Sequence, residues 1–295
     1  MKFLITGGAG FIGLSFTHLI DRLGHEYKVI DKLTYASKQA FLPKGYNLEV
    51  KDICNLTDED VEGYDFIVNF AAESHVDNSI SNGYPFVKTN VEGTFNLLER
   101  ARNSTTLKKF LQISTDEVYG DMTEYSYDLA TVDTGLKGSS YYSATKASAD
   151  LLVQAAGRTY GIPYLITRTC NNFGIRQHKE KFLPVLINYI KRNKPVGIYG
   201  DGENIREWIY VEDNVKAIYG LLVNDFVGIY NIGSGERYSN NEIVNLVEEI
   251  LGKEIKKEYI KDRKGHDRKY ALDSSNTPFI TVTKSLKEYL KDQLL

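Results

Sequence analysis

Tyr142 and Lys146 have the spacing of an acid–base pair on one helix face. Residues four positions apart lie beside each other on a helix, and a lysine cation next to a tyrosine lowers the pKa of the phenol. The resulting phenolate can take the proton of an alcohol whose hydride leaves for a cofactor. Tyr142 opens a long helical run after the buried strand that ends at Thr115, whereas a second pair with this spacing, Tyr84 and Lys88, has no such context. We therefore assign alcohol oxidation to Tyr142 and Lys146.

Two adjacent acids, Asp116 and Glu117, follow Thr115 at the carboxyl end of that strand. In a doubly wound sheet this edge faces the ligand crevice. Elimination of water from a sugar needs a base for a carbon-bound proton and an acid for the leaving hydroxyl, and neighbouring carboxylates in different environments can divide these roles. Two solvated loop carboxylates are the alternative interpretation, so the pair by itself does not decide the reaction.

Gly7, Gly10 and Gly13 lie between the first strand and the first helix of the chain. Glycines at such a turn let backbone N–H groups approach a pyrophosphate, and the helix N-terminus adds a favourable dipole. Asp31 ends the next strand, where a carboxylate binds ribose hydroxyls and repels a 2′-phosphate. NAD is therefore favoured over NADP, although Lys32 is a base that would tolerate the phosphate.

The order of apolar segments predicts an α/β fold with a doubly wound parallel sheet. Short apolar runs alternate with longer segments in which apolar residues recur at helical period. We expect residues 1–168 to form a Rossmann domain that binds the dinucleotide and residues 207–232 to return to it. Residues 169–295 should form mainly a smaller, interleaved substrate lobe. The predicted strands are 3–6, 27–31, 66–71, 110–114 and 164–168.

The composition is that of an ordinary globular protein. The chain has 295 residues, 42% hydrophobic and 25% charged, so its core needs no disulfide framework or structural metal. A net charge of -3 gives no reason to expect a nucleic-acid or membrane partner. Cys54 and Cys170 are interpreted as reduced thiols, and no signal-peptide layout is evident. We therefore expect a cytoplasmic protein without a metal site.

Together, the glycine turn and the tyrosine–lysine pair resemble those of the extended short-chain dehydrogenases/reductases, which mostly act on nucleotide sugars. Within that family, the acid pair and the run 32–35 are similar to those of the dTDP-glucose 4,6-dehydratases. The resemblance extends from residue 1 to about Asp273. The segments that carry it are 31–36, 71–77, 115–117, 142–146, 171–174, 180–184, 205–213 and 262–268.

The resemblance implies a three-step conversion of dTDP-glucose to dTDP-4-keto-6-deoxyglucose, from which deoxysugars such as rhamnose are made. Tyr142, aided by Thr115 and Lys146, would deprotonate the 4-hydroxyl as hydride passes to NAD. Glu117 would remove the C5 proton while Asp116 protonates the leaving C6 hydroxyl. The hydride would then return to C6, so the cofactor would be regenerated and stay bound.

The resemblance also implies a homodimer, formed through the helices that begin near Pro85 and Tyr142. For His75, a buried structural histidine is the alternative to a substrate contact. The implied cofactor-binding residues are Gly7, Gly10, Phe11, Ile12, Gly13, Asp31, Lys32, Thr34, Asp52, Ile53, Ala71, Ala72, Tyr142 and Lys146. The implied substrate-binding residues are Glu73, Ser74, His75, Thr115, Asn172, Lys181, Phe182, Tyr199, Arg206, Asn231, Arg263 and His266.

Several segments depart from the family pattern. Residues 174–177 replace a usual Gly-Pro-Tyr-Gln stretch, Tyr141 stands where proline is usual, residues 121–138 match poorly, and the tail after Asp273 is short. These differences leave UDP-glucose open as the substrate in place of dTDP-glucose. A nucleotide-sugar 4-epimerase, which would leave the acid pair idle, and an NAD-binding protein without turnover are further alternatives.

Overall fold

The computed structural model describes residues 1–125 and 128–295, so residues 126 and 127 of the poorly matching segment lie outside it. Within the described part of the chain, no helix is both long and apolar enough to span a bilayer. The strands are β1 Lys2–Thr6, β2 Glu26–Asp31, β3 Leu48–Val50, β4 Phe66–Asn69, β5 Lys109–Thr115, β6 Tyr164–Thr169, β7 Asn171–Phe173, β8 Val196–Tyr199, β9 Ile205–Tyr210, β10 Gly228–Ile232, β11 Arg237–Ser239 and β12 Lys257–Ile260. The helices are α1 Phe11–Arg22, α2 Asp58–Val61, α3 Val76–Ser81, α4 Tyr84–Phe86, α5 Thr94–Asn103, α6 Tyr141–Tyr160, α7 Phe182–Lys191, α8 Val211–Val223, α9 Asn240–Leu251 and α10 Leu286–Leu294, with a π-helical segment Val87–Gly93 between α4 and α5.

The large sheet has seven strands in the order β10-β6-β5-β4-β1-β2-β3. All of its pairings are parallel. The strand order reverses between β1 and β4, and such a switch point opens a crevice at the carboxyl edge of a sheet. The predicted doubly wound α/β class is confirmed, and the five predicted strands are present, although β4 ends at Asn69 rather than at residue 71.

Apolar side chains fill both faces of the large sheet. One cluster includes Phe16 and Ile20 of α1 together with Ile218 of α8. The cluster on the other side includes Leu97 of α5 and Val153 of α6. Full burial of such a side chain stabilises the fold by roughly 1.5–3 kcal/mol, so the strand ends that carry the functional residues project from a rigid platform.

Helix α6 begins and ends at residues with clear local signals. The Ser140 hydroxyl accepts a hydrogen bond from the Ser143 backbone N–H at 3.1 Å, and the Ser143 hydroxyl accepts one from the Ser140 N–H at 3.0 Å. This reciprocal cap satisfies two backbone donors at the start of the helix. Gly161 ends the helix with a φ of 72°, a conformation that favours glycine. The caps therefore set where α6 begins and ends.

The second lobe contains a three-stranded sheet, β11-β9-β7, and a two-stranded parallel sheet, β12-β8. Its core joins α7, α9 and α10 around buried Trp208. The chain then interleaves the two lobes, because β10 adds to the large sheet beside β6. The carboxyl edge of the large sheet therefore faces segments from residues 171–210 and 257–267.

Candidate active site

A cavity of about 1090 Å³ opens at the carboxyl edge of the large sheet and is lined by residues of both lobes. Small-molecule sites usually measure roughly 300–1,000 Å³, so this cavity is large for a ligand-binding site. All fourteen residues implied as cofactor-binding line it, and so do all implied substrate-binding residues except Asn231. Of the five implied catalytic residues, Asp116 alone is not part of the cavity wall.

The glycine turn after β1 has a backbone that larger residues would disrupt. Gly7 has a φ of 69°, and a Cβ on it would lie 2.5 Å from the Ala71 backbone nitrogen. A Cβ on Gly13 would overlap the Gly7 carbonyl oxygen, so α1 starts in direct contact with the turn. Bare backbone at a helix N-terminus is the arrangement that binds a pyrophosphate. The turn therefore fits the diphosphate of NAD.

Asp31, at the end of β2, is held in place by three donors. Its carboxylate accepts hydrogen bonds from Ala9 N at 3.1 Å, Leu33 N at 2.8 Å and the Ser37 hydroxyl at 2.9 Å. A carboxylate offers about four acceptor positions, so the fixed side chain retains capacity for a ribose hydroxyl. Because Asp31 also lines the cavity, it fits the adenosine ribose of NAD.

The Lys32 side chain turns toward acids. Its Nζ donates a hydrogen bond to the Thr89 hydroxyl at 2.8 Å and lies 3.4 Å from Glu73 and 3.9 Å from Asp52. These acids balance part of the positive charge that a 2′-phosphate would need. The structure thus weakens the argument for NADP that the sequence had left open.

Tyr142 faces the cavity beside Thr115 and Glu117. Burial raises the pKa of Tyr142, the Glu117 carboxylate raises it further, and a hydrogen bond with Thr115 opposes both effects in part. This increase is opposite in direction to the decrease predicted from the lysine. Tyr142 and Lys146 lie four residues apart on α6 as predicted, but the groups that change the pKa of Tyr142 most do not include Lys146.

Lys146 is buried one helical turn after Tyr142, and its Nζ donates a hydrogen bond to the Ile113 carbonyl oxygen. Burial lowers the pKa of Lys146 to about 8, and the Asp150 carboxylate acts in the opposite direction. The lysine is therefore close to its titration point near neutral pH, which makes its charge sensitive to its neighbours.

Asp116 is enclosed behind the cavity wall. It is 2% exposed, and its Oδ1 accepts a hydrogen bond from the Thr115 hydroxyl at 3.1 Å. Among the described residues its buried Oδ2 has no hydrogen-bond partner. Burial, followed by repulsion from Glu117, raises the pKa of Asp116 well above the ordinary range. The protonated form of this carboxyl group is therefore favoured.

Glu117 lies in a different environment from its neighbour. Burial raises the pKa of Glu117, but Arg263, Arg206 and Lys181 all oppose the increase. These three cations come from the second lobe, and Glu117 faces the same cavity as they do. The two adjacent acids are thus separated into an enclosed carboxyl group and a cavity-facing carboxylate near positive charge.

Several cations of the second lobe line the cavity. Lys181 donates from Nζ to the Ser74 carbonyl oxygen at 3.0 Å, which ties the second lobe to the loop after β4. The Arg206 guanidinium is fixed 4.3 Å over the Tyr270 ring. With Arg263, these groups supply charge-assisted donors of the kind that hold a diphosphate.

His75 and His266 line the cavity as neutral groups. Burial, with help from Arg263, lowers the pKa of His266 to about 4, and its Nδ1 lies 2.6 Å from Asp262 Oδ1. Burial also lowers the pKa of His75. Its Nδ1 is buried without a hydrogen-bond partner among the described residues, so His75 is not a satisfied core histidine.

Two implied aromatic contacts are placed on the wall of the second lobe. Tyr199 packs edge-on against His266 with ring centres 6.2 Å apart, and Phe182 packs against Trp208 at 6.5 Å. Both Tyr199 and Phe182 line the cavity, where flat apolar surface suits a nucleotide base.

The two implied substrate-binding asparagines have different positions. Asn172 borders the cavity, but its side-chain amide donates to Thr169 and Cys170 and accepts from Asn214. Asn231 is fully buried away from the cavity. The implied substrate contact of Asn231 is therefore wrong.

Asn231 is instead a structural residue of the protein interior. Its Oδ1 accepts a hydrogen bond from the Tyr119 hydroxyl at 2.7 Å, and its Nδ2 donates to the Ala130 and Asp273 carbonyl oxygens at 2.8 and 3.0 Å. With every polar atom of the side chain engaged, Asn231 joins segments that are far apart in sequence.

The sequence analysis missed two buried, ion-paired residues near the site, Asp150 and Arg168. Asp150 follows Lys146 by four positions, so its spacing was an available signal. It also missed Thr89, which holds Lys32, and Glu180, which lies 3.8 Å from His75. No local pattern marks the last two residues, because their contacts join distant parts of the chain.

The chain is similar to known proteins over nearly its whole length. Residues 3–233 match the model of the NAD dependent epimerase/dehydratase family. The chain is 46% identical over 94% of its length to the low-salt glycan biosynthesis protein Agl12 of Haloferax volcanii, covering 91% of that protein. It is 40% identical to the dTDP-glucose 4,6-dehydratase of Haemophilus influenzae, with 99% of this chain and 97% of that enzyme aligned.

Solved structures of related enzymes have the same fold as this chain. The dTDP-glucose 4,6-dehydratase DesIV of Streptomyces venezuelae, solved with NAD and TYD bound, superposes with a TM-score of 0.92 and 36% identity, covering all of this chain and 96% of that one. The UDP-glucose 4-epimerase of Thermus thermophilus, solved with NAD, has a TM-score of 0.90 at 26% identity, covering all of this chain and 98% of that one. Dehydratases and epimerases thus share this fold, so the fold does not distinguish the two reactions and only the residues of the cavity can.

Proposed function

This chain belongs to the NAD dependent epimerase/dehydratase family, and we propose that it is an NAD-dependent lyase that converts dTDP-glucose to dTDP-4-keto-6-deoxyglucose. The observation that carries the proposal is the division of environment between Asp116 and Glu117 beside Tyr142. A 4-epimerase needs the tyrosine but no second acid–base pair, whereas elimination of water needs one. Relatives named as dTDP-glucose 4,6-dehydratases, at about 40% identity over nearly the whole chain, support the same choice.

Oxidation at C4 is assigned to Tyr142, Thr115 and Lys146. NAD, when bound, supplies the hydride acceptor and a positively charged ring. The Thr115 hydroxyl, which lowers the pKa of Tyr142, would orient the phenol toward the substrate hydroxyl. Lys146 contributes positive charge from within α6, which favours the phenolate. Tyr142 then accepts the proton of the 4-hydroxyl as the C4 hydride leaves.

Elimination of water is assigned to the acid pair. A 4-keto group acidifies the C5 proton, and Glu117, which faces the cavity and is kept more readily ionised by nearby cations, removes it. Asp116 is favoured in its protonated form and gives its proton to the leaving C6 hydroxyl. Because Asp116 lies behind the wall, this step requires its side chain to turn toward the cavity when the substrate is bound. Hydride return to C6 and protonation at C5 complete the reaction.

Substrate binding is assigned mainly to the second lobe. Lys181, Arg206 and Arg263 would hold the diphosphate, since all three cations face the part of the cavity occupied by Glu117. Glu73, Ser74 and His75 would contact the sugar from the loop after β4. We further propose that residues 1–168 with 207–232 bind NAD, and that residues 169–295 mainly bind the nucleotide sugar.

A homodimer is part of the proposal. Large apolar side chains are exposed along the helical stretch 84–103 and along α6: Val87, Phe95, Tyr141, Leu151 and Tyr160. Exposed apolar surface shared by neighbouring helices is typical of protein interfaces. A reducing compartment, the cytoplasm, is the proposed location, supported by the free thiols Cys54 and Cys170.

One experiment tests the reaction and the nucleotide together. Purified protein with bound NAD is incubated in heavy water with dTDP-glucose and, separately, with UDP-glucose, and the sugar nucleotides are weighed by mass spectrometry. We expect a product that has lost water and gained one deuterium from the solvent. The substrate that is converted faster identifies the nucleotide that the protein prefers. An unchanged mass for both substrates would refute the proposal. Chromatographic separation of UDP-glucose from its C4 epimer would then show whether the protein is a 4-epimerase.

A further inference from the structure

A buried carboxylate continues the functional face of α6. Tyr142, Lys146 and Asp150 follow each other at intervals of four residues, so they lie along one side of the helix. Lys146 is 4% exposed and Asp150 is fully buried. We propose that Asp150, held by Arg168, is a positioning residue that keeps the Lys146 ammonium charged and directed toward the end of β5. This inference rests on the part played by Lys146 in the proposed function.

Asp150 is fixed by an ion pair with β6. Its Oδ2 lies 2.9 Å from Arg168 Nε, and both side chains are almost completely excluded from solvent. Arg168 in turn donates to the Tyr119 hydroxyl at 2.9 Å and to the Val132 carbonyl oxygen at 3.3 Å. A guanidinium with several fixed acceptors has little freedom to move. The carboxylate therefore has one orientation on the helix.

The charge balance around Lys146 explains why a fixed carboxylate is needed. Removal of an ammonium group from water disfavours its charged form, and burial accordingly lowers the pKa of Lys146. Asp150 is the charged group that opposes this effect in the described structure. Without it, the lysine would lose its proton at a lower pH and would no longer favour the Tyr142 phenolate.

The other polar groups around this face do not replace Asp150. From β5, the Ile113 carbonyl oxygen accepts a hydrogen bond from Lys146. Burial raises the pKa of Asp150, and Arg168 and then Ser114 oppose the increase. The charged groups on the neighbouring elements are Asp116 and Glu117 after β5, which act on Tyr142, and Arg168 on β6, which acts on Asp150. Asp150 also raises the pKa of Tyr142 directly, so its support of the phenolate has to act through the charge of Lys146.

The second oxygen of Asp150 gives a further geometric reason. Asp150 Oδ1 and Ser114 Oγ are both buried without a close hydrogen-bond partner among the described residues. An ion pair that served stability alone would be expected to satisfy both oxygens, because an unpaired buried oxygen is costly. Arg168 binds Oδ2 alone, and the negative charge of the carboxylate also acts on Lys146, which precedes it on the same helix face.

The test compares Asp150→Asn, Asp150→Glu and the double variant D150N/R168M with the wild-type protein. The double variant guards against misfolding, because it removes the charge of Arg168 together with that of its partner. Asp225→Asn, an exposed carboxylate outside the cavity, is the matched control. Protonation of Lys146 is followed by ¹³C NMR of the lysine Cε groups, and its resonance is assigned by its loss in Lys146→Met.

We expect the wild-type Lys146 resonance to titrate near pH 8. The midpoint should fall by about one unit or more in Asp150→Asn and in the double variant, and stay near the wild-type value in Asp150→Glu and in the control. The alkaline limb of kcat should move to lower pH in the same two variants, with KM unchanged. An unchanged Lys146 midpoint in the double variant would overturn the proposal.

The NMR readout does not depend on turnover, so the two proposals can fail separately. A wild-type protein that converts no sugar nucleotide, but whose Lys146 midpoint falls in D150N/R168M, would refute the dehydratase and keep the role of Asp150. A wild-type protein that converts dTDP-glucose, but whose Lys146 midpoint does not fall in D150N/R168M, would keep the dehydratase and refute the role of Asp150.

Discussion

Replacement of Glu117 by Gln removes the proposed C5 base and preserves the size of the side chain. A positioned general base contributes about 10²–10⁴ in rate, so kcat for dehydration should fall by this factor, equivalent to about 3–5 kcal/mol of activation free energy. The structure predicts that oxidation at C4 will not be slowed. Glu117 raises the pKa of Tyr142, so its neutralisation should ease deprotonation of the phenol.

Substrate binding should also survive the Glu117→Gln change. Glu117 is the carboxylate that faces Lys181, Arg206 and Arg263, and its loss leaves these cations more available to a diphosphate. The expected signature is therefore a large fall in kcat with KM unchanged or lower. A general loss of structure would instead affect both parameters.

The assay follows dTDP-glucose in heavy water by mass spectrometry under saturating substrate. Glu117→Gln should form little dehydrated product and incorporate little deuterium at C5. Glu124→Gln, which changes an exposed carboxylate in the same region outside the cavity, serves as the control. If Glu117→Gln retained kcat within about tenfold of the wild type, the base would have to lie elsewhere and our assignment of the acid pair would be wrong.

Three further predictions concern single residues. Gly13→Ala should abolish copurification of NAD, because its Cβ would overlap the Gly7 carbonyl oxygen; an absorbance spectrum showing wild-type NAD content would contradict this. Asn231→Ala should lower the free energy of unfolding by about 2–4 kcal/mol in urea titrations, since it leaves buried partners unpaired, and should leave KM unchanged; a raised KM at unchanged stability would restore Asn231 to the substrate site. The pKa of His266 is about 4 in the folded protein and about 6.5 in the unfolded chain, so its stabilising contribution is complete above about pH 6.5 and is lost as the pH falls toward 4. His266→Gln should flatten the stability–pH curve in this window, and an unaltered slope would show that His266 is not the group responsible.

Much of the fold and many of the site residues were predictable because their signals are local. The glycines at 7, 10 and 13 needed a strand before them and a helix after them, and both are visible as apolar periodicity. The Tyr142–Lys146 spacing needed a helix, which Ser140 caps and Gly161 ends. These features depend on residues within a few positions of one another.

Where the sequence analysis went wrong, the decisive contacts were distant in the chain. Asn231 looks like a polar residue available to a ligand, yet its partners are Tyr119, Ala130 and Asp273. Lys32 looks like a free base, yet it is engaged by Thr89, which is 57 positions away. Such pairings arise only when the strands and helices are packed together.

The sequence by itself determined the fold class, the cofactor turn and the identity of the acids, the tyrosine and the lysine near the reaction centre. Only the tertiary structure decided their ionisation. Burial raises the pKa of Tyr142, lowers that of Lys146 and separates Asp116 from Glu117, which faces second-lobe cations such as Arg263. The physical reason is that desolvation and charge act through space, so the protonation state of each group depends on neighbours that the local sequence does not contain.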